Sequence, residues 1–445
     1  MSTIPELTTI STQRVLLQPR KYAKSPGSFI LIPLLPQKPQ PRTLPNELWI
    51  KILGYVFAAY YTQAASSPES FVTQRQNLLL VCRNLRDIAL PLFYQHAVFT
   101  TSSSLERFTD HLHAADKQWD SIRRIPYSTP GRWVQVLDLS DLRCSLWSDV
   151  CHADEILTRL FPLLPFLAHL TLNDTLTLSR RVLTSMCSRD GNERLKSITG
   201  LKLVSASVDY DDPFFALLQC CNNLEQLEFT GSGIEPLLID SPNAITDMSH
   251  LPPKPLHLPQ LRKLSMVAMH CSPVMFALLH AELPSLTHIT ITPYDDTTIS
   301  TSLVPQFIEA HGTKLSSLHL YAPKSWPTML FQSPTTLLHS CPNLYHLSLE
   351  NPLPALTIPS TMDTHPLHIL SVPRPVSDFL KTLEPLLQKL PNLQLIRSRD
   401  VRWLRAGMSS RAVEAGVQGE LRQWRQRLAR RRVNVVDATW SQPTA

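Results

Sequence analysis

Three short stretches concentrate the side chains that could do chemistry: His288-Thr290-Thr292, Ser317-His319-Tyr321 and His346-Ser348-Glu350. In each, polar residues alternate with apolar ones at period two, so in a strand each triplet lies on one face. Three imidazoles, a phenol and a carboxylate could hold a peptide, change charge near pH of about 6.5, or ligate a metal. A plain solvated sheet face would have the same composition. Nothing in the spacing imposes a coordination geometry, so neither a metal nor a cofactor is expected. Bond-making chemistry is not expected either. The chain has no GxSxG and no HExxH, and its only GxG, Gly231-Ser232-Gly233, lacks the remainder of either nucleotide fingerprint. With no nucleophile–base pair in the sequence, no residue is expected to be catalytic.

What would position these triplets is a repeat. The pattern L-x-x-L-x-L, with Val, Ile, Phe or Met allowed, begins at Val134, Leu167, Ile198, Leu224, Leu261, Leu286, Leu315, Leu344 and Leu367, with a decayed copy at Leu393. The spacing averages about 29 residues, at the long end of the leucine-rich-repeat range. Helical stretches are predicted between the copies, over Asp154–Phe166, Ser179–Ser188, Asp212–Cys221, Pro273–Glu282, Ser302–His311, Thr335–Cys341 and Ser377–Leu390. A short strand followed by a helix cannot bury its apolar face alone. Stacked copies share one core, with a curved parallel sheet inside and helices outside. The fold class is therefore α/β. Leucines of L-x-L point inward, and the residues around them form a concave face carrying His288, His319, Tyr321, His346 and Glu350, the expected substrate-binding set. Earlier copies add Asp138, Thr171, Lys202, Glu228, Lys263 and Ser265. Of the basic residues, Lys202, Arg262 and Lys263 come nearest to a phosphate-reading cluster. The phrases PNL, NNL and PSL mark helix exits, and a Pro/Ser-rich loop near 231–258 bulges from one face.

The 445 residues are 43% hydrophobic, enough for a large core. The nearest candidate for a membrane span, Phe29–Leu35, is seven residues long and broken by Pro33, far too short. Charge and proline stand where a secretory h-region would be. Eight cysteines without a CxxC pair argue against a zinc site or a disulfide framework, and for reduced, buried thiols in a cytoplasmic or nuclear protein. Positive charge sits at the ends. Residues 1–42 hold six Lys or Arg against one acid, and residues 397–432 hold eleven Arg against three acids, leaving 43–396 net negative. An acidic body without a basic, aromatic-lined groove argues against nucleic acid as the main partner. In GELRQWRQRLARRR, residues 419–432, Leu421, Trp424 and Leu428 form a narrow apolar stripe suited to capping the end of a solenoid. An acidic protein, nuclear import or nucleic-acid contact are the alternatives for its arginines.

Ahead of the repeats stands TLPNELWIKILGYV, residues 43–56. Leu48, Ile52 and Val56 recur at i, i+4 and i+8, with Trp49 and Leu53 beside them, giving a helix with a wide apolar face. Pro45 suits the first turn. A second stripe, Leu78, Cys82, Leu85, Ile88 and Ala89, is expected to end at Pro91. About fifty residues of such helices bury little by themselves, so their oily faces call for a partner.

Leu44-Pro45-x-Glu47-Leu48, Ile52-Leu53, Val81-Cys82-Arg83 and Leu85-Arg86-x-Ile88-Ala89 together resemble an F-box, and the following repeats match the F-box/leucine-rich-repeat architecture. The resemblance implies a helical module over 43–96 that docks on a Skp-type adaptor and, through it, on a cullin-based ubiquitin ligase. It also implies a solenoid over 97–398 that binds a substrate protein. Leu44, Pro45, Leu48, Ile52, Leu53, Val81, Cys82, Leu85 and Ile88 are the adaptor-binding candidates. A small module needs a core of its own, so about half of these should face inward. A repeat scaffold without ligase function is the alternative. Residues 1–42 are read as a disordered or extended Pro-rich arm, and 399–445 as a basic helix and tail.

Overall fold

The computed structural model describes residues 16–17, 29–30, 44–63, 76–117, 129–203, 213–231, 256–269, 273–293, 303–322, 333–359, 362–402 and 417–442. The chain forms two units, Met1–Ala89 and Leu90–Ala445. In the first, β1 (Leu16–Leu17) pairs antiparallel with β2 (Phe29–Ile30). The rest of the Pro-rich arm and most of the 231–258 loop lie outside the described residues.

One leucine per repeat sets the second unit. Leu137, Leu170, Ile198, Leu227, Leu264, Ile289, Leu318, Leu347, Leu370 and Ile396 stand side by side in register and are all buried. They belong to β4 (Val136–Asp138), β5 (His169–Thr171), β6 (Ser197–Lys202), β7 (Gln226–Thr230), β8 (Lys263–Val267), β9 (His288–Ile291), β10 (Ser317–Leu320), β11 (His346–Ser348), β12 (Ile369–Val372) and β13 (Leu395–Ser398). With β3 (His96–Val98) and β14 (Asn434–Val436) they make one twelve-stranded parallel sheet in strict chain order, open at both ends. Each strand before the last is followed by a crossover, as parallel pairing requires, and most crossovers contain a helix packed on the leucine face. The fold is an α/β repeat solenoid with one continuous core.

Side chains at the helix exits tie each repeat to the one before. Asn223 Nδ2 donates to the Glu193 carbonyl at 2.9 Å, Ser285 Oγ to Pro259 at 2.6 Å and Asn343 Nδ2 to Thr313 at 2.7 Å. These are the middle residues of the NNL, PSL and PNL phrases. Two imidazoles do similar work one position deeper: His311 Nε2 lies 3.3 Å from the Leu278 carbonyl and His365 Nε2 3.1 Å from that of Cys341.

The structure corrects several sequence expectations. Ile198 is the second apolar position of its repeat, and Leu195 is the first. A bulge between Ile198 and Leu201, at Gly200 with φ +72°, made the later leucine look in phase. Lys202 accordingly pairs with Thr230, one row beyond Glu228. The helix expected over Asp154–Phe166 runs from Trp147 to Leu160, because the Asp149 carboxylate accepts from the N–H groups of Ser145 and Leu146 and starts it early. Residues 417–429 are helical, with Leu421, Trp424 and Leu428 buried and Trp424 stacked on Phe379.

In the first unit a helix spans Asn46–Gln63. The second apolar stripe does not lie on a single helix. Residues 76–79 form one turn, the chain breaks at 80–82, and a helix covers Arg83–Gln95. Cys82 stands before that helix, its sulfur accepting from the Leu85 N–H at 3.4 Å and its carbonyl from Arg86. Pro91 lies inside the helix without ending it. It forfeits one bond, to the carbonyl of Asp87, an exposed residue whose orphaned oxygen water can satisfy.

Candidate protein-binding faces

The first helix carries two apolar stripes that do different things. Leu53 and Phe57, each 3% exposed, are buried. Leu44, Leu48 and Ile52 lie four residues apart along the other side and are 42–44% exposed, with Tyr55 more open still. Beyond the break, Leu80 and Val81 are also exposed. Pro45 and Cys82 face solvent, while Leu85 and Ile88 are half-buried. Of the adaptor-binding candidates, Leu53 alone is fully buried and is a core residue of the free chain. Among the described side chains of this unit, Leu53, Phe57 and Ala89 are the buried apolar ones. Among the described residues, Leu44, Leu48, Ile50, Ile52, Tyr55, Leu80 and Val81 are the exposed large apolar side chains of this unit.

The second face lies on the open side of the sheet. A hollow of about 1070 Å³ is floored by Glu228, Ser265, Thr290 and His319, the residues just after the buried leucine row. Lys202, Lys263 and His288 border it, and two exposed aromatics, Trp147 and Tyr321, stand at its margins. Tyr321 belongs to the sequence-derived set. Trp147, which starts the helix that began early, does not.

At the β10 side of the hollow two histidines meet. Ser317 pairs with His346 and His319 with Ser348, which sets His319 and His346 diagonally across β10 and β11. Their Nε2 and Nδ1 atoms are 3.1 Å apart, and His346 Nε2 is 2.9 Å from Ser371 Oγ on β12. A consistent proton placement has His319 donating to His346, which donates to Ser371. Burial first, and then the neighbouring charges, hold His319 below the ordinary imidazole range and His346 at about 4. Arg397 and Arg399 supply part of that field. His288, also lowered by burial and by Lys263, is exposed at the edge. The structure thus gathers His288, His319 and His346. Glu350 is engaged elsewhere: its carboxylate takes an ion pair from Arg399 at 2.9 Å, with both side chains largely buried.

Arg397, Arg399 and Trp440 were not found from the sequence. Arg397 donates to the Ala438 carbonyl at 2.7 Å, and its guanidinium lies 4.5 Å from the centre of the Trp440 ring, which also meets His346 edge-on. Trp440 is held there by a turn built on buried Asp437, whose Oδ1 accepts from the N–H groups of Thr439 and Ser441 at 2.9 Å. The signal for the two arginines was present. The rule that puts His319 on the open face puts Arg397 there too, once Leu393 is counted as a full repeat. Nothing in the tail's sequence places Trp440.

Among the described residues no three His, Cys, Asp or Glu side chains converge as a metal site requires. The described cysteines are free thiols. Cys82, Cys151 and Cys220 are exposed rather than buried as expected, and burial raises Cys221 and Cys341 to about 12. No described helix is long and apolar enough to cross a membrane.

No protein-family model matches the chain. No curated protein sequence matches it either. Among solved structures it is similar to a Bacteroides fragilis protein from a structural genomics programme, with 11% identity, a TM-score of 0.31, and 75% of this chain and 73% of that one covered. It is also similar to yeast Rad7 in complex with Elc1, with 14% identity, a TM-score of 0.27, and 84% of this chain and 100% of that one covered. Scores this low carry no argument, and the solenoid rests on its own strand register.

Proposed function

We propose that the chain is the substrate-recognition subunit of a Skp-cullin-F-box ubiquitin ligase. Its first helical unit docks the adaptor, and the open face of its repeats binds the substrate protein. The observation that supports this reading is the outward apolar stripe Leu44, Leu48 and Ile52, with Val81 exposed beyond the break, at the positions where the chain resembles an F-box. An adaptor that covered this stripe would bury apolar surface that is open among the described residues. Such a subunit makes and breaks no bonds. It raises the effective concentration of substrate beside the ubiquitin-conjugating enzyme. The hollow between Trp147 and Tyr321 is the substrate site in this reading, since exposed Trp and Tyr are favoured interface anchors.

The test is co-expression with a Skp-type adaptor. A one-to-one complex is expected, lost with Leu48→Glu plus Ile52→Glu, and weakened with Leu44→Ala plus Pro45→Ala. Soluble chain that never co-purifies with adaptor would favour the second reading, a leucine-rich-repeat interaction scaffold without ligase function. The large aromatic-flanked hollow serves either reading.

A further inference from the structure

The arginine-rich helix Val417–Ala429 keeps two kinds of residue strictly apart. Leu421, Trp424, Leu428 and, just beyond the helix, Val433 are buried. Over 421–434 the exposed residues are Arg422, Gln423, Arg425, Gln426, Arg427, Ala429, Arg430, Arg431, Arg432 and Asn434. Of the six arginines, Arg427 pairs with Glu384 at 3.3 Å. The other five have no ion-pair partner among the described residues.

The backbone at the helix end bears on this. Val433 N–H bonds to the Leu428 carbonyl and Arg432 N–H to that of Ala429, a Schellman ending with Arg432 at the left-handed position, φ +59°. Glycine takes that conformation freely, whereas a side chain is strained there. The chain places a sixth charge where the backbone would be easier without it.

We propose that this face binds the phosphate backbone of duplex nucleic acid without reading its sequence. The choice among polyanions follows from what the face lacks. A protein partner needs buried apolar anchors at its centre, and an interfacial membrane helix needs an apolar face to insert. Here the described large apolar side chains, Leu421, Trp424, Leu428 and Val433, are all turned inward. Single strands are gripped by stacking on exposed aromatics, and Trp424, the aromatic of this helix, is buried. Phosphates on a duplex can be held by charge and hydrogen bonds alone, and arginine's fork and glutamine's amide suit phosphate oxygens. The helix stands between β13 and β14, at one end of the sheet, away from the hollow floored by Glu228, Ser265, Thr290 and His319. The proposal does not depend on the ubiquitin-ligase reading.

The experiment uses the full chain and a fluorescein-labelled 20-base-pair DNA duplex, with anisotropy titrations from 50 to 200 mM NaCl. Five neutralised phosphates give a log–log salt slope of about −4.5, and so roughly a 500-fold loss of affinity over that range. Replacing Arg422, Arg425, Arg430, Arg431 and Arg432 by Gln should remove nearly all of that slope, about 4.5, and replacing them by Lys should keep it. Should the five Gln changes disturb the fold by circular dichroism, Arg422→Gln with Arg425→Gln must still remove about two. No duplex binding at 50 mM overturns the proposal, as does a slope unchanged in the Gln variants. Equal affinity for a labelled twelve-residue glutamate peptide, for phosphatidylserine vesicles or for single-stranded DNA overturns it in favour of that ligand class.

Discussion

Arg399, just past β13, reaches back to the carboxylate of Glu350, just past β11, at 2.9 Å. The same guanidinium donates to the carbonyls of Leu349 at 2.6 Å and Leu320 at 3.3 Å, the latter on β10. One side chain thus clasps the ends of several repeats on the open face. It also engages Glu350, which would otherwise be a free substrate contact.

Arg399→Met should therefore lower stability by about 2–3 kcal/mol, since it leaves a largely buried carboxylate and two carbonyls without their donor. Urea unfolding of the full chain measures this. Glu350→Gln, which keeps an acceptor, should cost less. Equal midpoints for wild type and Arg399→Met would remove the clasp from the account.

The histidine pair predicts an acid limb. His346 and His319 have folded-state pKa values below those of an unfolded imidazole, so the unfolded chain binds protons more readily. The stability they protect is complete above about pH 6.5 and declines as pH falls towards 4. His346→Gln should flatten this decline between pH 6.5 and 4.5. Parallel curves for wild type and variant would show that the imidazole stays unprotonated or is equally titratable when unfolded.

Within the first helix, neighbouring residues should separate cleanly. Leu53→Ala removes a buried side chain and should cost about 2–4 kcal/mol. Leu48→Ala lies in solvent in the free chain and should stay within about 0.5 kcal/mol. Amide exchange over Asn46–Gln63 reports both. Loss of protection in Leu48→Ala would mean that the exposed stripe is covered in solution.

Gly200 holds the bulge that shifted the repeat phase. An added Cβ would run into the Leu172 carbonyl oxygen, in a left-handed conformation. Gly200→Ala should cost about 2–4 kcal/mol through strain and overpacking together. A variant as stable as wild type by urea midpoint would show that β5 and β6 can part locally.

Much of the solenoid was legible in the sequence because one buried leucine per strand has to recur at a fixed interval. The failures are local. β3 escaped notice because Ala97 stands where a large apolar residue marks other copies, and β14 because its outer positions are Arg432 and Asp437. Both lie at the ends, where a strand has one neighbour and the pattern is under less constraint. The phase error at Ile198 arose because a bulge inserts residues without changing the apolar spelling. Of the open-face residues, those inside strands followed from alternation, including Arg397 had its repeat been counted. Trp440 depends on a turn that only tertiary contacts define. In the first helix, period alone could not say which of two apolar stripes is inside.

Among the described residues the sheet is not closed, and β3 and β14 each have a strand neighbour on one side only. Both are three residues long. An edge that short offers few free backbone groups for a second molecule to template on, and the Asp437 turn bends the chain away immediately after β14. Twelve strands in chain order could in principle be extended end to end into a filament. Short terminal strands and the turn after β14 give such end-to-end pairing little to build on.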